Sequence, residues 1–436
     1  MLLDALLANT RRPQRETLQL LRDNWLAELQ QLDDDALLVE LHAIQKAITS
    51  KKLRRGVDEL IAALRRDGAD PGTPLPKLGR KPARAAVVEA PASGSAGLRN
   101  PELEARLLAD PRDRDTQLVY RDWLEAQGQV EDGRVRLGPL AGCDDMLTEV
   151  QWRDGFIRRA RLSYTSARFN GDRPEVSLEQ AIHWLLDDPG PGRLIEALTI
   201  GLARHDDNDY SAVCKAIGAA PRPTLARLEI GDFGYEECEL NWSTIGDASP
   251  LWPALGKLRE LHLRAGAMDL KGIHLPALRV FETVTGGMSP AALAAIAGGD
   301  WPALERLHLQ IGAASQGAAT DVDLVEPILR GERFPALVDL GLCNCEFTDA
   351  LCERLTTAPI MKQLRQLDLS MGTMGLAGAQ ALARAPQVFA DLGTLVVDDN
   401  YLPEAAREVL ATLGIDVDFG GQRSEGNYGR YASAYE

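Results

Sequence analysis

From residue 195 onward, apolar and polar positions recur in a short unit, L-x-x-L-x-L, with occasional substitutions. Copies begin at Ile195, Leu225, Leu258, Leu278, Leu304, Leu337, Leu364 and Leu392. The third reads Leu258, Leu261 and Leu263, and a later one Leu304, Leu307 and Leu309. The alternation within each copy predicts a strand with one buried face. Successive starts lie 30, 33, 20, 26, 33, 27 and 28 residues apart, room for one short strand and one return segment. One such unit cannot bury its own apolar face, so the spacing predicts a stack of units.

The front of the chain has a different period. Leu18, Leu21, Trp25, Leu26 and Leu29 recur at mostly three- and four-residue steps, and two similar runs follow up to Leu64. Residues 1–67 therefore predict a thin helical bundle or a set of partner-binding helices. Residues 68–98 are rich in Pro, Gly and Ala and predict a flexible linker, with Lys77, Arg80, Lys81 and Arg84 close together. Over residues 99–137, Pro101 suits the first turn of a helix through Leu103 and Leu107, and Asp110-Pro111 stops it. A second helix carries Leu118, Val119, Trp123 and Leu124 and ends at Gly128. Another is expected through Leu178, Ile182 and Leu185.

The recurring unit resembles that of leucine-rich repeat proteins, in the longer form where a helix follows each strand. Cys345 and Asn400 occupy the polar or cysteine position after the strand, while Gly266, Gly312, Gly372 or Phe233 stand there in other copies. The resemblance implies an α/β fold: a leucine-rich repeat solenoid over residues 138–420, with parallel inner strands and outer helices. Small all-helical domains precede it, and residues 421–436 form a tail or cap. The stretch LLADPRDRDTQLVYRDWLEAQGQ at 107–129 resembles a small bacterial domain with the signature "ADP…LVYADWLEERGD" that accompanies such repeats. Arg121 replaces the usual alanine, and residues 126–129 depart from "ERGD". WRDGFIRRARL, from Trp152 to Leu162, is similar to the segment that commonly follows this domain, and is expected to lead into the stack. These companion domains imply no enzymatic role.

Composition narrows the chemistry. The 436 residues carry a formal net charge of -16, which disfavours DNA and anionic membranes as partners. No stretch approaches 18 uncharged apolar residues, so no membrane span is expected. The six cysteines follow no metal-knuckle or disulfide-scaffold spacing, which suits reduced thiols in a cytoplasm. HDDNDY, with Asp206, Asp207 and Asp209, lacks the glutamate that would complete a calcium loop. No phosphate-binding glycine loop, nucleophile elbow or H-E-x-x-H is present. No cofactor or metal is expected. Asp122 and Glu125 could be read as a carboxylate pair, but packing by Tyr120 and Trp123 explains that helix better. Cys343-Asn344-Cys345 is read as repeat structure, with a reactive Cys343 as the alternative.

Strand alternation leaves the residues between the leucines facing outward. Arg227, Glu229, Glu260, His262, Arg264, Glu282, Arg306, His308, Gln310, Asp339 and Asp368 are the candidate protein-binding residues of a concave face. His262 and His308 fall two strands apart, too far for one small metal ion. Mixed signs on this face favour a protein partner. The expectation is a non-catalytic scaffold or adaptor, with self-association through residues 1–67 as a further option. The alternative is a regulatory subunit or atypical enzyme with its site in the N-terminal helices or repeat loops.

Overall fold

In a computed structural model, the recurring apolar positions lie on successive strands of one eleven-stranded sheet. The structure describes residues 100–432, except Pro111, Asp144 and residues 165–175, 188–189, 205–207 and 427–428. Expectations for residues 1–67 and 68–98, and for Asp206 and Asp207, lie outside the described residues.

Two helices come first, α1 (Pro101–Ala109) and α2 (Arg114–Ala126). Asn100 caps α1 by accepting from the Leu103 amide, and Pro101 needs no partner at that position. A small hairpin follows, β1 (Val130–Glu131) and β2 (Arg134–Val135), so this region is not wholly helical as expected. A larger hairpin of β3 (Leu147–Arg153) and β4 (Phe156–Leu162) leads to helix α3 (Leu178–Leu186). Next come β5 (Ala197–Ile200), β6 (Asn208–Asp209), α4 (Ser211–Gly218), β7 (Arg227–Ile230) and β8 (Ser243–Asp247). The central stretch contains β9 (Glu260–Arg264), β10 (Ala267–Asp269), β11 (Val280–Val284) and α5 (Pro290–Ala297). After these lie β12 (Arg306–Gly312), α6 (Glu326–Arg330), β13 (Asp339–Cys345) and α7 (Thr348–Leu355). The last elements are β14 (Gln366–Asp368), α8 (Leu376–Ala383), β15 (Thr394–Val396), α9 (Ala405–Ala411) and β16 (Asp416–Asp418).

The sheet runs β16-β15-β14-β13-β12-β11-β9-β7-β5-β4-β3. Every neighbouring pair is parallel except β3–β4, which is antiparallel. The WRDGF segment is therefore a hairpin turn that starts the sheet rather than a plain lead-in. Register is unbroken along the array: Leu228 opposes Leu261, Leu261 opposes Phe281, Phe281 opposes Leu307, and Leu307 opposes Leu340. All these side chains are buried, in one core that runs from Leu140 to Phe419. Each fully buried leucine contributes about 1.5–3 kcal/mol. A surface ion pair on the opposite face contributes about 0–1 kcal/mol. The apolar side therefore holds the stack together.

The return segments differ from expectation. The unit of 20 residues from Leu258 to Leu278 has no room for a helix and returns through β10. The unit after β7 returns through β8 and 3-10 turns. Together β10, β8 and β6 form a separate three-stranded parallel sheet. The helices α1 and α2 pack on the start of the array through a second apolar cluster of Leu103, Leu107, Tyr120, Leu124, Val135, Phe156 and Leu194. Tyr120 stacks on Trp123 at 5.8 Å and on Phe156 at 6.1 Å between ring centres, while Asp122 pairs with Arg121 on the outside. All described residues belong to one unit that begins at Ser95.

Candidate functional site

The outward positions of the strands line up as strictly as the inward ones. In one row Arg159 opposes Ala197, and Arg227, Glu260, Val280, Arg306, Asp339, Gln366, Thr394 and Asp416 follow strand by strand. The next row runs Arg161, Thr199, Glu229, His262, Glu282, His308, Gly341, Asp368, Val396 and Asp418. The face thus changes sign along its length. It opens with arginines on β4, mixes charges at the centre, and ends in aspartates.

The central residues pair with one another across strands. Arg227 Nη1 donates to Glu260 Oε2 at 3.0 Å, and its Nη2 lies 3.4 Å from Glu229. His262 Nδ1 lies 3.0 Å from Glu282 Oε2. His308 Nε2 lies 2.6 Å from Asp339 Oδ1, and Arg306 Nε donates to Asp339 Oδ2 at 2.6 Å. A carboxylate can only accept, so the bonded ring nitrogen carries the proton in each histidine. That leaves His262 Nε2 buried with no hydrogen-bond partner among the described residues. Arg306 also approaches Glu282 at 3.7 Å and joins the two histidine pairs. A glycine makes this arrangement fit. A Cβ at Gly341 would meet the His308 ring at 2.8 Å, so the bare backbone of β13 lets the imidazole lie across it.

These contacts set the acidities. The hydrogen bond from His262 holds Glu282 below its ordinary value, against the opposing effect of burial. Burial disfavours ionisation of Asp339, but the hydrogen bonds and charges of His308 and Arg306 outweigh it and lower its pKa. At the acidic end the balance reverses. Burial, then the neighbouring Asp418, Asp399 and Asp368, push Asp398 upward.

Two predicted site residues do not stand as expected. Asp339 is buried, because Arg306 and His308 fold over it. Arg264 is held by its own scaffold: its guanidinium lies 4.6 Å from the Phe233 ring centre and donates to the Phe233 carbonyl. Cys343 also faces this side but is fully buried, and burial raises its thiol pKa well above the ordinary value. A thiol so placed is no nucleophile. Arg227, Glu229, Glu260, His262, Glu282, Gln310 and Asp368 are half-buried, and Arg306 is exposed. Among the described residues no cluster of His, Cys, Asp and Glu could hold a metal ion.

Two aromatic residues escaped the periodic reading. Tyr235 and Trp242 are 61% and 68% exposed on the segment that follows β7. Asn241 crosses close over Gly266 and Gly286, each two residues beyond a central strand, where a Cβ on either glycine would collide with it. The segment that carries Trp242 therefore lies at the carboxyl ends of β9 and β11. Its signal in the sequence is an aromatic inside a polar loop, YEECELNW, where no apolar face explains it.

No family model and no curated protein matches the chain. A crystal structure of a Bacteroides fragilis protein, a structural genomics target, aligns with 59% of this chain and 73% of its own. Its TM-score is 0.53 at 24% identity, which shows a shared fold over that span. The crystal structure of a TLR13–ssRNA13 complex aligns with 53% of this chain and 33% of that one, at a TM-score of 0.28 and 16% identity. No helix among the described residues is long and apolar enough to cross a membrane.

Proposed function

We propose that the chain is a non-catalytic protein-binding scaffold of the leucine-rich repeat type, with residues 99–137 as its repeat-companion domain. Its binding surface is the outward strand face, together with the segment bearing Trp242. The observation that carries this reading is the unbroken outward register from Arg159 to Asp416. Ten strands at about 4.8 Å spacing make a platform about 43 Å long. Two to three outward positions per strand, about 6.6 Å apart, give it a width of roughly 10–15 Å and an area of roughly 430–650 Å². With the segment bearing Trp242 beside it, that approaches one side of a standard protein interface, about 800 Å². It is far broader than the concave pockets that take small ligands.

The central ion network shapes what can bind there. Its cations already have acidic neighbours, so a partner must offer both signs to exchange for them. Trp242 and Tyr235 supply the exposed aromatic anchors that such interfaces use as energetic centres. The test compares wild type with the double variant Trp242→Ala/Arg306→Ala. Partners are captured from the native cell extract, identified, and titrated calorimetrically. Both side chains are exposed, so the variant should keep its circular dichroism spectrum and lose at least tenfold in affinity. A folded variant with unchanged affinity sinks this surface as the binding site.

A further inference from the structure

A second surface stands apart from the outward strand rows. Between the α1–α2 corner and the loops that enter β7, β9 and β11 lies an open cleft of about 1100 Å³. Five cations line it: Arg112 and Arg114 from the helical corner, Arg153 from the hairpin, and Lys257 and Arg259 from the loop before β9. Three acids share the lining. Asp154 is paired with Arg114 at 2.8 Å, and Glu196 is paired with Arg153. Asp110 accepts from the Arg112 backbone amide.

Arg112, Lys257 and Arg259 remain exposed and without an ion pair among the described residues. Three uncommitted cations converge on one concavity in a chain of net charge -16. Such a chain repels acidic molecules at long range, so a local site for them needs this kind of concentration. The floor uses small side chains, Ala226 and Ala277, and these leave the cations reachable.

We propose that this cleft binds an acidic peptide segment of a protein partner, with Arg112, Lys257 and Arg259 each taking a side-chain carboxylate. Guanidinium groups match carboxylates in a two-point geometry, and the spread of the three cations suits a run of separated acids. The cleft volume exceeds the typical range for small-ligand pockets, about 300–1,000 Å³. No aromatic side chain lines it, so it offers no platform for stacking nucleic-acid bases.

The experiment measures fluorescence anisotropy of a labelled oligo-glutamate peptide against the purified full chain at low and high salt. Oligo-lysine and a single-stranded oligonucleotide of equal length serve as the other arms. Wild type should bind oligo-glutamate, more weakly as salt rises. The variant Arg112→Glu/Lys257→Glu/Arg259→Glu should lose that binding at least tenfold and gain affinity for oligo-lysine. Its circular dichroism should match wild type, because none of the three side chains makes a described hydrogen bond or ion pair. Alanine at the same three positions should give an intermediate loss, without the gain for oligo-lysine. No binding by wild type, equal binding by the variants, or tighter binding of the oligonucleotide would overturn the proposal.

Discussion

Asp339 shows how one residue can serve packing and charge together. It sits at an outward position, yet it is only 7% exposed, because His308 and Arg306 close over it. Its carboxyl is held below the ordinary value of 3.8 in the folded state. The unfolded chain therefore takes up this proton more readily than the folded one. The stabilisation is present above 3.8 and is lost as pH falls through the lower folded-state value. Replacing Asp339 by Asn should cost about 1–3 kcal/mol at neutral pH. It should also flatten the loss of thermal stability on acidification between about pH 5 and pH 2. Melting temperatures of both proteins across that range check it, and parallel acid limbs would count against the assignment. Alternation in the sequence gives the direction of such a side chain but not its cover, which comes from long neighbours on adjacent strands. For that reason Asp339 and Arg264 read as available and are not.

At the scale of elements, the strands were legible because each repeats one inward pattern against the same core. The returns were less so. Their type depends on how many residues separate two strands, and the 20-residue unit has no space for a helix. The two hairpins had a signal that went unused. Asp132-Gly133 and Asp154-Gly155 each sit between strands with both residues at positive φ, as the tightest hairpin turns require. The end of β13 and the residues just beyond β14 and β15 repeat another feature. Asn344, Met371 and Asp399 all adopt positive φ at equivalent positions, and their side chains share no type that would reveal it. Asn400 then ties two of these turns together. Its amide donates to the carbonyls of Leu369 and Val397 and accepts from the Met374 amide. At the matching place in the earlier unit stands Cys345, whose side chain is buried. Thr348 and Thr373 donate to the Cys345 carbonyl.

Close approach of strands supplies an element-scale prediction. Gly231 follows β7 at φ 100°, and a Cβ there would run into the Arg264 carbonyl of β9. Gly231→Ala should cost about 1–3 kcal/mol from backbone conformation alone, and more from the clash. Chemical denaturation should show the midpoint falling with little change of slope. A neutral substitution would mean that the two strands can separate without penalty.

Across the described residues, each strand of the large sheet pairs only with the strands beside it, so stability is carried locally and the last layer needs cover. The chain beyond β16 supplies it. Arg423 Nη2 donates to the carbonyls of Met371 at 2.8 Å and Gly372 at 2.6 Å, and its guanidinium lies 4.6 Å from the Tyr401 ring centre. Arg430 donates to the Thr373 carbonyl and pairs with Asp349 at 3.1 Å. Deleting residues from 422 onward should leave these carbonyls uncapped and lower stability by about 2–4 kcal/mol. Hydrogen exchange should then speed up in β14 and β15 first and leave β7 and β9 nearly unchanged. Uniform acceleration along the array would argue for a single cooperative block.

The two ends of the large sheet are built unlike its middle. At one edge β3 runs antiparallel, with breaks in its register near Thr148 and Gln151 and a positive φ at Glu149. At the other, β16 has three residues and exposes Asp416 and Asp418. A flat, regular edge is a template onto which another chain can add, and parallel repeats with matched register are well suited to fibre growth. Here a kinked strand of the wrong direction closes one end, and short, like-charged chain closes the other. Both edges thus oppose growth of the sheet from one molecule onto the next.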